Sequence, residues 1–202
     1  NLGLTPGVGA AYDTEAIGAV DGVVEAVGAD KARVAIVYDL NDYGKDGHAG
    51  LVKAAAHHNV SLVAEQTIAP GQKDFTAVVA ALKKAGATHV LLTVLPSATG
   101  VILGTAAKMQ YMPTWVGNTP SWVDPFFAHP QLPPAVFANY HWVTGLTYWG
   151  EDVPGMKGFL DAFAKYGQEL GRPDFYIFVS YAHGLAGLAA VSAAIKNNDL
   201  SP

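Results

Sequence analysis

Apolar residues recur along this chain in two alternating rhythms. Ile17, Val20, Val23, Val24 and Val27 fall at helical spacing, with Asp13 or Thr14 placed to cap the helix. The run RVAIVYD (33–39) is short, rich in β-branched residues and without alternation, which predicts a strand buried on both faces. Residues 45–58 then carry Leu51, Val52, Ala55 and Ala56 on one helical face, with Asn59 at the end. SLVAEQTIA (61–69) is the next strand, and Phe75, Val78, Val79 and Leu82 mark a helix that Asp74 can cap. THVLLTV (88–94), a helix over 97–109 and TWVGNT (114–119) continue the alternation. FANYHWVTG (137–145) is a fifth strand candidate, after the loop-like PFFAHPQLPP. This alternation predicts right-handed βαβ units and an α/β fold: a parallel sheet with helices on both faces.

Past residue 150 the strands stop. Residues 155–170 and 176–196 read as consecutive helices joined by GRPD. The second, with VSYAHGLAGLAAVSAAI, is apolar nearly all round and calls for burial on several sides. Nothing after it supplies a second sheet, so this portion reads as incomplete.

Composition narrows the function. Half of the 202 residues are apolar and only 14% are charged, which suits a chain that buries a core and not a disordered or coiled-coil one. A net charge of −5 without any Lys/Arg block argues against nucleic acid and anionic membrane surfaces as partners. No apolar run reaches about 18 residues, so no bilayer span is expected. The opening NLGLTPGVGA lacks the basic and apolar regions of a signal peptide, so the expectation is a cytoplasmic protein or one whose leader was removed before residue 1. Cysteine is absent, which excludes disulfides, zinc–thiolate sites and thiol nucleophiles within the sequence.

In open parallel sheets ligands bind beyond the carboxyl ends of the strands. The stretches to inspect are therefore Asp39 to Gly44, Leu95 to Ser97, Gly117 to Thr119, and Thr144 to Gly145. They are aromatic and polar but poor in charge, a lining for reversible capture of a small molecule more than for bond breaking. No G-x-S-x-G elbow, H-E-x-x-H or Walker lysine loop is present. GVGAAY (7–12) imitates half of a dinucleotide fingerprint, but no strand precedes it and Tyr12 takes the last glycine's place. No cofactor is expected. His57 and His58 are adjacent, so they leave a helix on different sides, and His48, His89, His129, His141 and His183 show no ligand spacing. Asp39 at a strand end is like a phospho-acceptor aspartate, without the acidic pair and strand-end lysine that would accompany one. Tyr43 can equally be a ring packed on the following helix, with Gly44 permitting a turn. Tyr176 can equally be helix packing, and Asn118 and Thr119 turn residues.

KARVAIVYDLNDYGKDG, GQKDFTAVVAALKKAGATHVLLTV and AAKMQYMPTWVGNT resemble, in order and spacing, the solute-binding proteins of ABC transporters of the Leu/Ile/Val-binding type. FYIFVSYAHGLAGLAAVSAAI is similar to that family's later long helix. The resemblance implies a two-lobed protein that closes by a hinge on a small solute and hands it to a membrane permease. Residues 1–146 correspond to the second lobe, one Rossmann-like unit, and 147–202 to helices of the first. The chain is then a fragment of a longer protein, periplasmic or extracellular, a cell-surface lipoprotein being one form. Its apolar last helix would find a second copy of the chain as its simplest partner.

The same resemblance implies that Tyr43 lines the cleft, as do Leu95, Pro96 and Ser97 after the next strand, and that Tyr176 is a cleft aromatic. Trp115 is expected close by. Thr119, or Asn118 if the register slips by one, matches a position where amino-acid binders hold an acid for the ligand's ammonium. A neutral side chain there implies a solute other than a simple α-amino acid: an amide, an aromatic or aliphatic carboxylate, or a similar neutral-headed molecule. The main rival is a ligand-sensing domain of a receptor or transcription regulator; a flavodoxin-like enzyme is third.

Overall fold

The structure is a computed structural model that describes residues 9–128, 130 and 132–198. His129 and the start of GVGAAY lie outside the described residues. The chain divides into two compact units, one over Ala10–Gly145 and one over Asn1–Gly9 with Leu146–Pro202.

The first unit is built from α1 (Tyr12–Val27), β1 (Arg33–Asp39), α2 (Asp42–His58), β2 (Ser61–Ile68), α3 (Thr76–Ala85), β3 (His89–Thr93), α4 (Pro96–Lys108), β4 (Thr114–Gly117) and β5 (Tyr140–Trp142). The five strands form one sheet in the order β2-β1-β3-β4-β5, every pairing parallel. One face is covered by α1 and α2 through Val20, Leu51 and Ala55 against Val34, Ile36 and Leu91. The other is covered by α3 and α4 through Val79, Leu82, Ile102 and Leu103 against Val37, Val90 and Leu92. β1 and β3 are buried along nearly their whole length, which is why they read as unbroken apolar runs.

Three element boundaries differ from the sequence expectation, each for a local reason. α1 begins at Tyr12 with no side-chain cap of its own, and Asp13 N–H instead donates to Asp46 Oδ2 of α2 at 3.2 Å. α2 begins at Asp42, because the Asn41 side chain accepts from Gly44 N–H at 2.9 Å and caps the helix. Tyr43 and Gly44 thus belong to its first turn. Gly44 is there for close approach and not for a turn: a Cβ on it would stand 2.0 Å from the Asp39 carbonyl oxygen. β5 is only three residues long. Phe137 goes into a preceding 3-10 turn, Pro134–Phe137, and packs on the α3/α4 core.

In the second unit α5 (Met156–Tyr166) and α6 (Phe175–Lys196) meet through Phe159, whose ring centroid lies 5.2 Å from Phe178 and 5.6 Å from Tyr181. Asp174 caps α6 by accepting from Ile177 N–H at 2.8 Å. By length and composition alone α6 could cross a membrane, with a mean hydropathy of 1.5 over 18 residues, none of them buried. The sequence reading that found no such run is corrected here: α6 is interrupted by Ser, Gly and His, which hide its mean hydropathy from a search for continuous apolar residues.

Candidate functional site

The strand order places a switch point between β1, from which the chain first turns to β2, and β3, which lies on β1's other side. Crevices open at such points beyond the carboxyl ends of the strands. Tyr43 spans this one. Its hydroxyl donates to Asn118 Oδ1 at 2.6 Å, beyond the end of β4, and lies 3.3 Å from the Val94 carbonyl oxygen after β3. The edge of the Tyr12 ring meets it at a centroid distance of 4.7 Å. Burial, then the Asp39 charge, push the Tyr43 hydroxyl far above the usual phenol range, so it stays a neutral donor.

Asn118 is only 5% exposed. Its Oδ1 is taken by Tyr43, while its Nδ2 is buried with no acceptor among the described residues. Asp39 has a similar imbalance on the acceptor side. The Leu95 backbone amide lies near enough to favour its charged form, and Oδ2 is buried without a donor among the described residues. Burial raises its pKa, partly offset by that amide. A buried polar atom left unpaired costs on the order of 1–3 kcal/mol, so the unpaired donor and the unpaired acceptor beside Tyr43 single out this crevice as the candidate site.

Thr119 is tied down instead of presented. Its N–H donates to Glu15 Oε2 at 2.9 Å, its hydroxyl donates to Glu15 Oε1, and its Oγ1 lies 2.8 Å from Thr144 Oγ1. Glu15 Oε1 also accepts from Gly145 N–H at 3.2 Å. Glu15 is 5% exposed in the first turn of α1, where the helix dipole favours its charge. One carboxylate thereby fastens the start of α1 to the ends of β4 and β5. Trp142 Nε1 adds bonds to the carbonyl oxygens of Asn118 and Thr119 at 3.1 and 3.2 Å.

The structure therefore brings Tyr43, Asn118 and Thr119 together, with Leu95 beside Asp39. Leu95 is exposed as the N-cap of α4, Pro96 occupies its first turn, and Ser97 is exposed there. Tyr176 belongs to the other unit, in the first turn of α6, where its ring meets Phe175 at 5.3 Å. Trp115 is not near this crevice. It is 1% exposed in the α3/α4 core, and Trp142 is the indole at the strand ends. Sequence reasoning passed over Glu15 and Tyr12. The available signal was a glutamate within the stripe Ala16, Ala19, Val20 and Val23 that α1 buries. Among the described residues no group of three or more His, Asp or Glu could hold a metal ion.

A two-faced parallel α/β unit with a charge-poor mouth at its switch point is the class of structure in hand. Within that class, the family Periplasmic binding protein matches residues 6–201, and the chain belongs to it. No curated protein matches the chain. The solved fatty acid ABC transporter substrate-binding protein from Thermomonospora curvata superposes with a TM-score of 0.85 at 24% identity, over 96% of this chain and 50% of its own. A branched chain amino acid ABC transporter from Thermus thermophilus with bound valine gives 0.63 at 21% identity, over 82% and 41%. A solute binding protein from R. palustris in complex with benzoate gives 0.67 at 14% identity, over 82% and 43%. The chain thus spans about half the length of these structures, or somewhat less.

Proposed function

We propose that this chain is the solute-capturing part of an ABC importer and that it holds a small molecule reversibly, without bond chemistry. The observation that carries the reading is the Tyr43–Asn118 hydrogen bond at the switch point, flanked by the unpaired Asn118 Nδ2 and Asp39 Oδ2. An amide head carries the two complementary groups, a carbonyl to accept from Asn118 and an N–H to donate to Asp39. Glu15 already accepts three hydrogen bonds while 5% exposed, so it serves the fold and not an incoming ammonium. An amide-headed solute is therefore favoured over an α-amino acid.

The proposal extends to hinge closure, to residues 1–146 and 147–202 as parts of different lobes, and to Tyr176, Leu95, Pro96 and Ser97 as solute contacts. It also includes a membrane permease as partner and a periplasmic or extracellular location, which the family supports. A second copy of the chain is the proposed partner of α6, which exposes Leu185, Leu188, Val191 and Ile195.

The test is a calorimetric titration of the chain with isocaproamide, isocaproate and leucine, which share a branched aliphatic body and differ in the head. The amide binding tightest supports the reading. Leucine binding tightest refutes the assignment of the head group, and no saturable heat with any of the three refutes solute capture by this chain.

A further inference from the structure

The sheet face that carries α1 and α2 is not fully covered. Between α1 and the strands β3, β4 and β5 lies a cavity of about 400 Å³. Its helical wall is low, with Gly18, Gly22 and Ala26 at successive four-residue steps. A Cβ built on Gly18 or Gly22 meets nothing within 4 Å. The opposite wall presents His89, Thr114 and His141, and among the described residues no Asp, Glu, Lys or Arg lines the space. The two histidines leave the sheet on the same side, since His89 pairs with Thr114 and His141 pairs with Val116, two residues further along β4.

His89 is only 8% exposed, and its two ring nitrogens are used differently. Nδ1 lies 2.9 Å from Thr88 Oγ1, which also accepts the Arg33 N–H at 3.0 Å. The alternative acceptor for the Thr88 hydroxyl proton, the Arg33 carbonyl oxygen, is more distant at 3.4 Å. We assign the threonine proton to Nδ1, its nearer acceptor, which places the ring proton on Nε2. Nε2 has no protein partner among the described residues, and the side chain lines the cavity. Burial and the neighbouring His141 lower the His89 pKa, so near neutral pH the ring is uncharged.

We propose that this cavity is a second binding site, taking an uncharged, hydroxylated apolar molecule of the phenol class. His89 Nε2–H donates to the ligand oxygen, and the ligand hydroxyl donates to a ring nitrogen of His141. The ring body lies along Gly18, Gly22 and Ala26. A donor Nε2–H on one ring and an acceptor nitrogen on the other together complement a group that both donates and accepts. A carboxylate or an ammonium matches only one half of that pair. The volume falls within the range of small-molecule pockets. His89 and Thr114 open β3 and β4, so this site lies at the opposite end of those strands from Asn118.

The test titrates 2-naphthol into the chain, read by naphthol fluorescence and by the imidazole proton NMR signals. Saturable binding that moves the His89 and His141 signals is expected. Gly22→Leu and, separately, Ala26→Leu should each weaken it at least tenfold by filling the cavity. Both changes face open space or solvent and favour or tolerate helix, and a melting curve on each checks folding. Removing the ligand's proton with 2-methoxynaphthalene should weaken binding several-fold, and isocaproamide should not compete. Non-saturable binding, binding indifferent to both leucine variants, or tighter binding of 2-naphthoate than of 2-naphthol would overturn the proposal.

Discussion

Replacing Glu15 with glutamine exchanges one carboxylate oxygen for an amide NH2 and should loosen three segments. The carboxylate accepts from Thr119 N–H, the Thr119 hydroxyl and Gly145 N–H. The glutamine side chain can keep its carbonyl oxygen toward the last two. Its NH2 group then faces the Thr119 N–H, donor against donor. Losing one charge-assisted bond is worth roughly 1.5–3 kcal/mol, and the stranded amide adds about 1 kcal/mol or more. The expected loss is about 3 kcal/mol, which for a chain of this size lowers Tm by on the order of 10 °C. Thermal unfolding followed by circular dichroism measures it. A double-mutant cycle pairing Glu15→Ala with Thr119→Val then isolates the bond from the Thr119 hydroxyl to the carboxylate, with a coupling of at least about 1 kcal/mol expected. A Tm change under about 2 °C, or strict additivity with Thr119→Val, would refute Glu15 as the strut between α1, β4 and β5.

Other consequences follow from the same geometry. Gly44→Ala places a methyl 2.0 Å from the Asp39 carbonyl oxygen, so α2 must lift from the end of β1. The expected cost is about 2 kcal/mol or more in urea unfolding, with weaker isocaproamide binding, and a neutral Gly44→Ala would show that the approach is not needed. Burial holds the Tyr43 hydroxyl far above its ordinary value and the Tyr111 hydroxyl at about 12, against 10.0 for a free phenol. The unfolded chain therefore ionises first, so stability is full below pH 10 and falls as pH rises past it. Stability of the wild type and of Tyr111→Phe measured between about pH 9 and 11.5 should show a shallower alkaline decline in the variant, about one proton fewer. Trp142→Phe should lower thermal stability by about 1–2 kcal/mol through loss of the Nε1 hydrogen bonds to Asn118 and Thr119. It should also remove the solute-dependent signal of the indole at the strand ends, whereas Trp115, enclosed in the core, stays silent.

The parts of this fold that sequence pattern revealed are those governed by burial on a large scale. β1 runs over Arg33–Asp39 as expected, because its middle residues 34–37 are covered on both faces and need apolar side chains at every position. The boundaries that moved are governed by single hydrogen bonds. Asn41 looks like a turn residue until its side chain is seen to accept from Gly44 N–H, which draws Tyr43 into the helix. FANYHWVTG has the composition of a strand throughout, yet Phe137 is claimed by the α3/α4 core and Gly145 by Glu15. At the site, Tyr43 and Asn118 were legible as residues after strand ends. Their partnership was not, since it joins positions 75 residues apart. Thr119 was read as a solute contact, whereas Glu15 of α1 takes both its N–H and its hydroxyl.

The most direct test of the central reading watches the Asn118 side-chain amide itself, by 15N-correlated NMR during titration with isocaproamide and, separately, leucine. If Asn118 Nδ2 is the donor awaiting a solute carbonyl, its two proton signals shift saturably with the amide, and by less with leucine. Asn118 signals that stay fixed while isocaproamide binds would place the solute elsewhere and contradict the account.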